Sequence, residues 1–403
     1  MREWEERERR IYMQTGHRRL GVTIVRGQGT RVWDDEGKEY LDFVGGWAAL
    51  SLGHSHPAVV SALKKQADLL VHMTNDTYTI PQIELAELLV RHSPFDRVYF
   101  QNSGTEAVEL ALKLARKYGK ELLGGAYEII VAERAFHGRT MGALAAGGTA
   151  AYSAPFEPLP PGFVHVPFND IDALRTATSE RTCAVLLEPI QGEGGVHVAD
   201  DAYLKAVREW CDEREILLIL DEVQTGMGRA GTLFAFEHYG IEPDIVAIGK
   251  GLGGGVPVSA VLMKEKAALL EPGEHGTTFG GNPLLTAAAL GATQWILDHE
   301  LFRDAVSLGA DLMGRLGRLR TTFPVITEVR GRGLMIAVEF KQDIAAEVVQ
   351  ACVVRGLLTN AVRPNVLRLT PPLTVSVREI CQAAGIIEAA LHAVRAAGNR
   401  AAA

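Results

Sequence analysis

The central part of the chain, from about residue 53 to residue 281, alternates between two hydrophobic patterns. The segments PQIELAELLVRH and TEAVELALKLARKYG place apolar residues at positions i, i+3, i+4 and i+7, which predicts amphipathic helices. Short apolar runs, each ending in a polar, glycine-bearing turn, are RVYFQNSG, YEIIVAERAFHG, CAVLLEPIQGEGG, ILLILDEVQTGMG and DIVAIGKGLGGG. Strands that are apolar throughout are buried on both faces, so the alternation predicts an α/β fold with a mostly parallel central sheet.

The segments on either side have different patterns. TRVWDDEGKEYLDF alternates around a DDEG turn and predicts a β-hairpin from about Thr30 to Phe43, preceded by an N-terminal arm. After Pro283, a long helix precedes further helical text and two strand-like stretches, VITEVRGRGLMIAVEF and VLRLTPPLTVS, which is typical of a smaller α+β unit. We therefore expect an arm and hairpin at 1–48 that join the small domain, a large domain at 49–285 and a small C-terminal domain at 286–403.

Composition and charge narrow the classes of partner. The chain has 403 residues, of which 47% are hydrophobic, and a formal net charge of −8 at pH 7. Acidic and basic residues are interspersed without a basic stripe, and the apolar runs are too short to span a bilayer, so we expect neither a nucleic acid nor a membrane as partner. The first twenty residues are charged and lack the apolar core of a signal peptide, which favours the cytoplasm and reduced cysteines.

The turn Ser103-Gly104-Thr105 is the first place where the sequence indicates chemistry. It opens a predicted helix whose first backbone N–H groups are free and whose dipole is positive at that end, so it can hold a phosphate group. The same residues also suit an ordinary helix cap, with Glu106 complementing the dipole. No Gly-Lys-Ser/Thr sequence follows, so the turn is not a nucleotide-binding P-loop.

Asp221 and Glu222 end another apolar run, where an unpaired carboxylate would be costly. A magnesium or zinc site is one explanation, but no histidine lies close in sequence, so we expect no bound metal. His137, taken alone, fits a structural role better than that of a metal ligand. The neighbouring turns supply further candidate side chains, namely Phe136, Arg139, Glu188 and Glu193.

Lys250 stands at the end of an apolar run, directly before a glycine cluster. A lysine partly withdrawn from water favours the neutral amine, which is a nucleophile toward aldehydes. Because the carboxyl ends of parallel strands meet at one edge of a sheet, we expect Lys250 to lie near Asp221, Phe136 and the turn at Ser103. An amine, an acid, a stacking ring and a phosphate-holding helix end are what pyridoxal 5'-phosphate requires, so the sequence predicts this cofactor.

Six motifs, in this order and spacing, resemble those of the class III aminotransferases: NSGTEAVE, FHGRT, EPIQGEGG, DEVQTGMGR, IGKGLGGG and GTTFGGNPL. The resemblance extends from about Tyr12 to Pro372. It implies the PLP-dependent transferase fold of type I, similar to aspartate aminotransferase, and a homodimer with shared active sites. Within the class, the sequence is most similar to acetylornithine aminotransferases. That similarity implies transfer of the distal amino group of an ω-amino acid to 2-oxoglutarate, giving a semialdehyde and glutamate.

The resemblance also implies roles for residues around the cofactor. Lys250 would bind the cofactor aldehyde as a Schiff base and later shuttle a proton, and Asp221 would keep the pyridine nitrogen protonated. The other implied cofactor contacts are Ser103, Gly104, Thr105, Phe136, His137, Val223, Gln224 and, from the neighbouring subunit, Thr278.

Four residues are implied in substrate binding. Arg139 matches the arginine that binds the α-carboxylate of the donor, and Arg368 matches the one that receives the α-carboxylate of glutamate or 2-oxoglutarate. Glu193 would neutralise Arg368 when the donor lacks a carboxylate there. Thr277 is the fourth expected substrate contact.

Departures from the family pattern leave the substrate open. Trp47 stands where many relatives carry a smaller aliphatic residue, and Gly251 stands where acetylornithine enzymes often have alanine. The main alternative is a transaminase for 4-aminobutyrate or for a broad range of ω-amino acids and amines. A transaminase for a carrier-bound amino acid is disfavoured because the acidic chain would repel an acidic carrier. A non-catalytic relative is disfavoured because Lys250 and Asp221 are both present.

Overall fold

The computed structural model describes residues 3–13, 15 and 19–401. Residues 1, 2, 14 and 16–18, which belong to the predicted N-terminal arm, lie outside the described residues, as do residues 402 and 403 of the C-terminal tail.

Among the described residues, the strands form a seven-stranded central sheet, two four-stranded sheets and one two-stranded sheet. In chain order they are β1 (Ile24–Gln28), β2 (Arg31–Asp34), β3 (Glu39–Asp42), β4 (Arg97–Gln101), β5 (Glu128–Ala132), β6 (Phe163–Val166), β7 (Thr182–Leu187), β8 (Ile190–Gln191), β9 (His197–Val198), β10 (Leu217–Asp221), β11 (Ile245–Ile248), β12 (Ser259–Met263), β13 (Ile326–Arg332), β14 (Met335–Phe340), β15 (Leu357–Leu358), β16 (Asn360–Arg363) and β17 (Val366–Leu369).

The helices range from single turns to a long C-terminal helix. In chain order they are α1 (Glu3–Ile11), α2 (Gly45–Ala48), α3 (Pro57–Ala67), α4 (Ile80–Arg91), α5 (Gly104–Leu122), α6 (Met141–Ala146), α7 (Ala150–Ser153), α8 (Ile171–Ala177), α9 (Gly192–Gly195), α10 (Asp201–Glu213), α11 (Pro283–Asp298), α12 (Leu301–Arg318), α13 (Ala345–Val354) and α14 (Val377–Ala401). None of the helices in the described ranges is long and apolar enough to cross a membrane.

The central sheet has seven strands in the order β4-β12-β11-β10-β7-β5-β6. β5, β7, β10 and β11 run parallel and are buried along their whole length, whereas β12 is antiparallel to both of its neighbours. This arrangement confirms the predicted α/β fold with a mostly parallel sheet. The sequence pattern did not predict the edge strand β6 or the antiparallel strand β12.

The helices of the central unit bury their apolar stripes against this sheet and against one another. α5 packs one face on β7, β11 and β12, and its buried residues include Ala107, Leu110, Ala111 and Leu114. α11 packs against α3 and α4. Because helices cover the sheet, polar backbone ends and side chains are available mainly at the edge where the strands stop.

Two four-stranded sheets accompany the central sheet, and within the first of them β15 runs parallel to β3. The predicted hairpin is confirmed as β2 and β3, which form a four-stranded sheet with β1 and with β15. The second sheet has the order β13-β14-β17-β16, and the two strand-like stretches predicted after Pro283 lie in it as β13, β14 and β17. Helices α12, α13 and α14 pack beside it. The domain boundaries at residues 48 and 285 stay a prediction.

Candidate active site

The candidate site lies at the carboxyl edge of the central sheet. Phe136 and His137 follow β5, Glu188 follows β7, Asp221 ends β10, and Lys250 follows β11 by two residues. These strands are parallel neighbours, so the segments that follow them meet at the same edge.

A buried pair forms the base of the site. His137 Nδ1 lies 2.8 Å from Asp221 Oδ2, and Asp221 Oδ1 accepts a hydrogen bond from the backbone N–H of Val223 at 3.0 Å. Burial opposes a charge on the imidazole, but the hydrogen bond to Asp221 and the negative charges of Asp221 and Glu188 outweigh it and raise the pKa of His137. The other ring nitrogen, Nε2, is buried without a hydrogen-bond partner among the described residues.

Glu188 joins two of the loops around this pair. Its carboxylate accepts hydrogen bonds from the backbone N–H groups of Phe136, at 2.9 Å, and Gly192, at 3.1 Å. Burial raises the pKa of Glu188 to about 7, although nearby His137 acts in the opposite direction. Sequence reasoning gave Glu188 no role, and the only signal was its position after an apolar strand.

Lys250 is held in an unusual backbone conformation at the edge of the site. Its φ is +39°, in the left-handed region, and it begins a short turn with 3-10 geometry, Lys250–Gly253. Its Nζ makes no hydrogen bond with any described residue. Burial lowers the pKa of Lys250, the charge of Arg368 adds to this effect, and Glu193 opposes it. A free amine is therefore favoured here more than at the surface.

The start of α5 provides backbone donors. Ser103 caps this helix, since its Oγ accepts from the N–H of Glu106 and donates to the Glu106 carboxylate at 2.8 Å. The cap expected as the alternative role of Ser103 is therefore present. The N–H groups of Gly104 and Thr105 have no acceptor among the described residues, as expected for the first turn of a helix. A negatively charged group can bind these N–H groups.

Close contacts fix this helix start against the rest of the site. A Cβ added to Gly104 would lie 2.5 Å from Cγ1 of Val223, so only glycine allows this approach. Thr105 Oγ1 lies 2.8 Å from Thr140 Oγ1, and a Cβ on Gly138 would overlap the side chain of Thr105. Gly138 also has a φ of +137°. The turn that carries Phe136 and His137 is thereby tied to α5.

A second charged pair involves the four-stranded sheet β13-β14-β17-β16. Arg368, in β17, is 1% exposed, and its Nη1 lies 2.6 Å from Glu193 Oε1 and 3.2 Å from Gln224 Oε1. Burial opposes ionisation of Glu193, but the charges of Arg368 and Lys250 outweigh it and lower its pKa. Arg368 Nε has no partner among the described residues, so the guanidinium has capacity for another acceptor.

The remaining predicted residues lie further out. Arg139 is exposed, and its guanidinium carbon lies 4.0 Å from the ring centroid of Tyr152 and 5.5 Å from that of Phe136. Thr277 Oγ1 accepts from the backbone N–H of Gly280 at 3.1 Å. Thr278 is exposed and makes no hydrogen bond with another described residue. Arg139 and Thr278 are thus exposed in the single chain, whereas the predicted cofactor residues that follow β5, β10 and β11 lie at one edge of the central sheet.

The residues present fit pyridoxal 5'-phosphate. The site combines the partly buried amine of Lys250, whose pKa is lowered, a carboxylate on Asp221 that a histidine holds in place, the half-buried aromatic ring of Phe136 and unpaired N–H groups at the start of α5. Nε2 of His137 is a buried polar atom without a partner among the described residues, and a bound polar group would satisfy it. A mostly parallel sheet with these groups at its carboxyl edge suits a PLP-dependent enzyme.

Within that class, the family follows from comparison with known proteins. The sequence profile described as Aminotransferase class-III matches residues 12–391, so the chain belongs to the class III aminotransferases. This membership confirms the resemblance seen in the motifs, the aminotransferase activity and the predicted cofactor.

Individual relatives are similar over nearly their whole length. The acetylornithine aminotransferase of Caldanaerobacter subterraneus subsp. tengcongensis is 48% identical, over 95% of this chain and 98% of that protein. The acetylornithine aminotransferase of Methanocaldococcus jannaschii is 50% identical, over 94% of this chain and 95% of that protein. Among solved structures, the ornithine aminotransferase of Toxoplasma gondii ME49 superposes with a TM-score of 0.94 at 37% identity, over 97% of this chain and 95% of that one.

Proposed function

We propose that this protein transfers the distal amino group of N-acetylornithine to 2-oxoglutarate, forming a semialdehyde and glutamate. The observation that carries the proposal is the contact of 2.6 Å between buried Arg368 and half-buried Glu193, within electrostatic range of Lys250. An arginine covered by a carboxylate suits a pocket that serves both halves of the transamination cycle. Such a pocket binds the α-carboxylate of glutamate in one half-reaction and an uncharged group in the other. The names of the two relatives described above support the same substrate.

The roles of Lys250 and Asp221 follow from their surroundings. The chemistry that pyridoxal 5'-phosphate supplies when bound is an aldehyde that condenses with amines and a ring that withdraws electrons from the reacting carbon. Because burial lowers its pKa, Nζ of Lys250 would accept a proton from the reacting carbon and return it to a neighbouring position. Asp221, fixed by His137 and the N–H of Val223, would stabilise a proton on the pyridine nitrogen.

The other cofactor contacts hold and orient the ring. The N–H groups of Gly104 and Thr105 would bind the phosphate at the positive end of α5. Phe136 and Val223 would cover the two ring faces. Gln224, whose Oε1 already accepts from Arg368, would lie near the ring oxygen and connect the cofactor to the carboxylate-binding residues.

The donor would be held at its opposite end by Arg139. Its guanidinium is free of any carboxylate among the described residues and packs over Tyr152, which leaves its edge available for a bidentate contact with the α-carboxylate. Thr277 would border the same space. With the α-carboxylate bound there, the distal amine would reach Lys250, and Glu193 would neutralise Arg368.

We also propose a homodimer with shared active sites, located in the cytoplasm. Thr278 would contact the phosphate bound to the neighbouring subunit, and its exposure in a single chain supports this role. Phe279 beside it is 59% exposed, and Leu69, Tyr78 and Ile80 are exposed along a groove of about 940 Å³. Exposed apolar side chains that line one groove are a feature of protein interfaces. Light scattering on the purified enzyme tests it, with a monomer mass contradicting the proposal.

A panel of amino donors tests the substrate. With 2-oxoglutarate as acceptor, we expect N-acetylornithine to give the highest kcat/KM, ahead of ornithine, 4-aminobutyrate and simple amines. Lys250→Ala serves as the inactive control for each donor. Rapid turnover of 4-aminobutyrate with none of N-acetylornithine would replace this proposal with the broad ω-amino acid alternative.

A further inference from the structure

The turn that carries Glu193 ends in backbone carbonyls that need outside donors. α9 is only one turn long, and it stops because Gly195 and Val196 have φ values of +126° and +58°. The carbonyls of Gly194, Gly195 and Val196 therefore lie beyond the reach of helical hydrogen bonds. The position of Glu193 depends on what holds these carbonyls.

Two arginines of the β13-β14-β17-β16 sheet bind these carbonyls. Arg330, in β13, donates from Nε to the carbonyls of Gly195, at 3.1 Å, and Val196, at 3.2 Å, and from Nη2 to that of Gly195 at 2.6 Å. Arg363, at the end of β16, donates to the carbonyl of Gly194 at the longer distance of 3.4 Å. Arg330 thus makes the main contact.

Arg330 is itself fixed. Its side chain is 10% exposed, and Nη1 donates to the carboxylates of Glu328, at 2.8 Å, and Glu339. Glu339 lies opposite Glu328 in the β13–β14 ladder, so both carboxylates belong to the sheet. A guanidinium held on one side by carboxylates presents its other edge in a defined direction.

The same sheet carries Arg368. β14 pairs with both β13 and β17, and Ala337 is the register partner of both Arg330 and Arg368. The two arginines therefore extend from strands on either side of one residue of β14. One binds the backbone of the Glu193 turn, and the other binds the Glu193 carboxylate.

We propose that Arg330 is a positioning residue for the Glu193–Arg368 pair. By holding the Gly195 and Val196 carbonyls, Arg330 keeps the Glu193 carboxylate on Arg368. It does so whenever the pocket holds a donor that has no carboxylate beside the reacting amine. Arg330 thereby determines the relative affinities for the two amino donors, N-acetylornithine and glutamate. This inference rests on the function proposed above.

Arg330→Met tests the proposal, with Arg330→Lys as a conservative variant. Loss of the contact should raise KM for N-acetylornithine by about ten-fold, as expected for hydrogen bonds from a charged group, and leave kcat and the KM for glutamate nearly unchanged. Lysine, which supplies fewer donors, should give an intermediate KM. Arg332→Met is the matched control because Arg332, on the same strand, contacts exposed Asp201 at 3.3 Å and not the turn. It should behave like the wild type.

A double-mutant cycle with Glu193→Gln separates positioning from general damage. If Arg330 acts through Glu193, Arg330→Met should not alter the preference between the two donors once Glu193 is replaced. An equal change of that preference in both backgrounds, or equal losses for both donors, would overturn the proposal. If Arg330→Met does not fold, the same cycle with Arg330→Lys decides in the same way.

Hydrogen exchange gives a readout independent of turnover. The peptide spanning residues 190–198 should exchange faster in the purified Arg330→Met enzyme and at the wild-type rate in Arg332→Met. Unchanged exchange of this peptide in Arg330→Met would contradict the positioning role of Arg330. Failure of the proposed function is distinguishable, because it would appear in the wild type as an absence of reaction with N-acetylornithine.

Discussion

Nδ1 of His137 lies 2.8 Å from Oδ2 of Asp221, and the two residues are only 3% and 5% exposed. A carboxylate buried this deeply is stable only with a partner, and the histidine provides one from a different loop. The contact explains why His137 has a fixed position. It also couples the orientation of Asp221 to a titratable group.

Replacing His137 by phenylalanine should change how stability depends on pH. The folded-state pKa of His137 is raised above 6.5, so the pair contributes stability that is fully present below pH 6.5 and is lost as the pH rises through the higher folded pKa. The difference in unfolding free energy between wild type and His137→Phe should therefore shrink above pH 6.5, by up to about 1.4 kcal/mol per pH unit. Denaturant unfolding from pH 6 to pH 9 measures it.

The surface substitution His165→Phe is the control for this experiment. His165 is exposed and bonds only the carbonyl of Gly147 among the described residues, so its replacement should leave the pH profile unchanged. A difference between wild type and His137→Phe that grows with rising pH would contradict the assigned direction.

Lys250 should be the residue that carries the cofactor. Borohydride reduction of the holoenzyme should add the mass of the reduced cofactor to a peptide containing Lys250, because this amine is partly buried and its pKa is lowered. Lys250→Ala should abolish the labelled peptide and lower kcat by about 1,000-fold or more. The control variant Lys264→Ala, which replaces a half-buried lysine paired with Glu242, should be labelled like the wild type. Stoichiometric labelling of another lysine would exclude the mechanism.

Local patterns were sufficient to predict much of the central unit. Runs of apolar residues gave β5, β7, β10 and β11, and the helical period gave α5, because burial on both faces leaves a direct trace in the sequence. The position of Lys250 and Asp221 at strand ends followed from the same pattern, since parallel strands end at one edge.

Features that depend on distant contacts could not be predicted in this way. β6 is a four-residue edge strand with mixed exposure, and β12 has an apolar run whose antiparallel direction depends on its partners. The His137–Asp221 pair joins residues 84 positions apart, and the contact between Arg330 and the Glu193 turn joins residues 135 apart. The spacing of residues along the sequence indicates neither of these two contacts.

Replacing Glu193 by glutamine should favour donors that carry a carboxylate beside the reacting amine. The substitution removes the charge that neutralises Arg368, so the guanidinium would be available to glutamate at all times. We expect the ratio of kcat/KM for glutamate to that for N-acetylornithine to rise by about ten-fold. Single-turnover reactions with each donor measure the ratio. Glu265→Gln, in an exposed ion pair with Arg97, is the control. An unchanged ratio would contradict the role of Glu193.

Gly104→Ala should weaken cofactor binding for a steric reason. The added Cβ would lie 2.5 Å from Cγ1 of Val223, so either the start of α5 or the segment after Asp221 must shift. We expect an increase of about ten-fold or more in the Kd for pyridoxal 5'-phosphate, measured by absorbance titration of the apoenzyme.

The same substitution at Gly385 in α14, where nothing lies within 4 Å of the new Cβ, is the matched control. Gly385→Ala should leave cofactor affinity unchanged and stabilise the fold by up to about 1 kcal/mol, because alanine favours the helix. Equal cofactor affinities in both variants would show that the contact between Gly104 and Val223 does not shape the binding site.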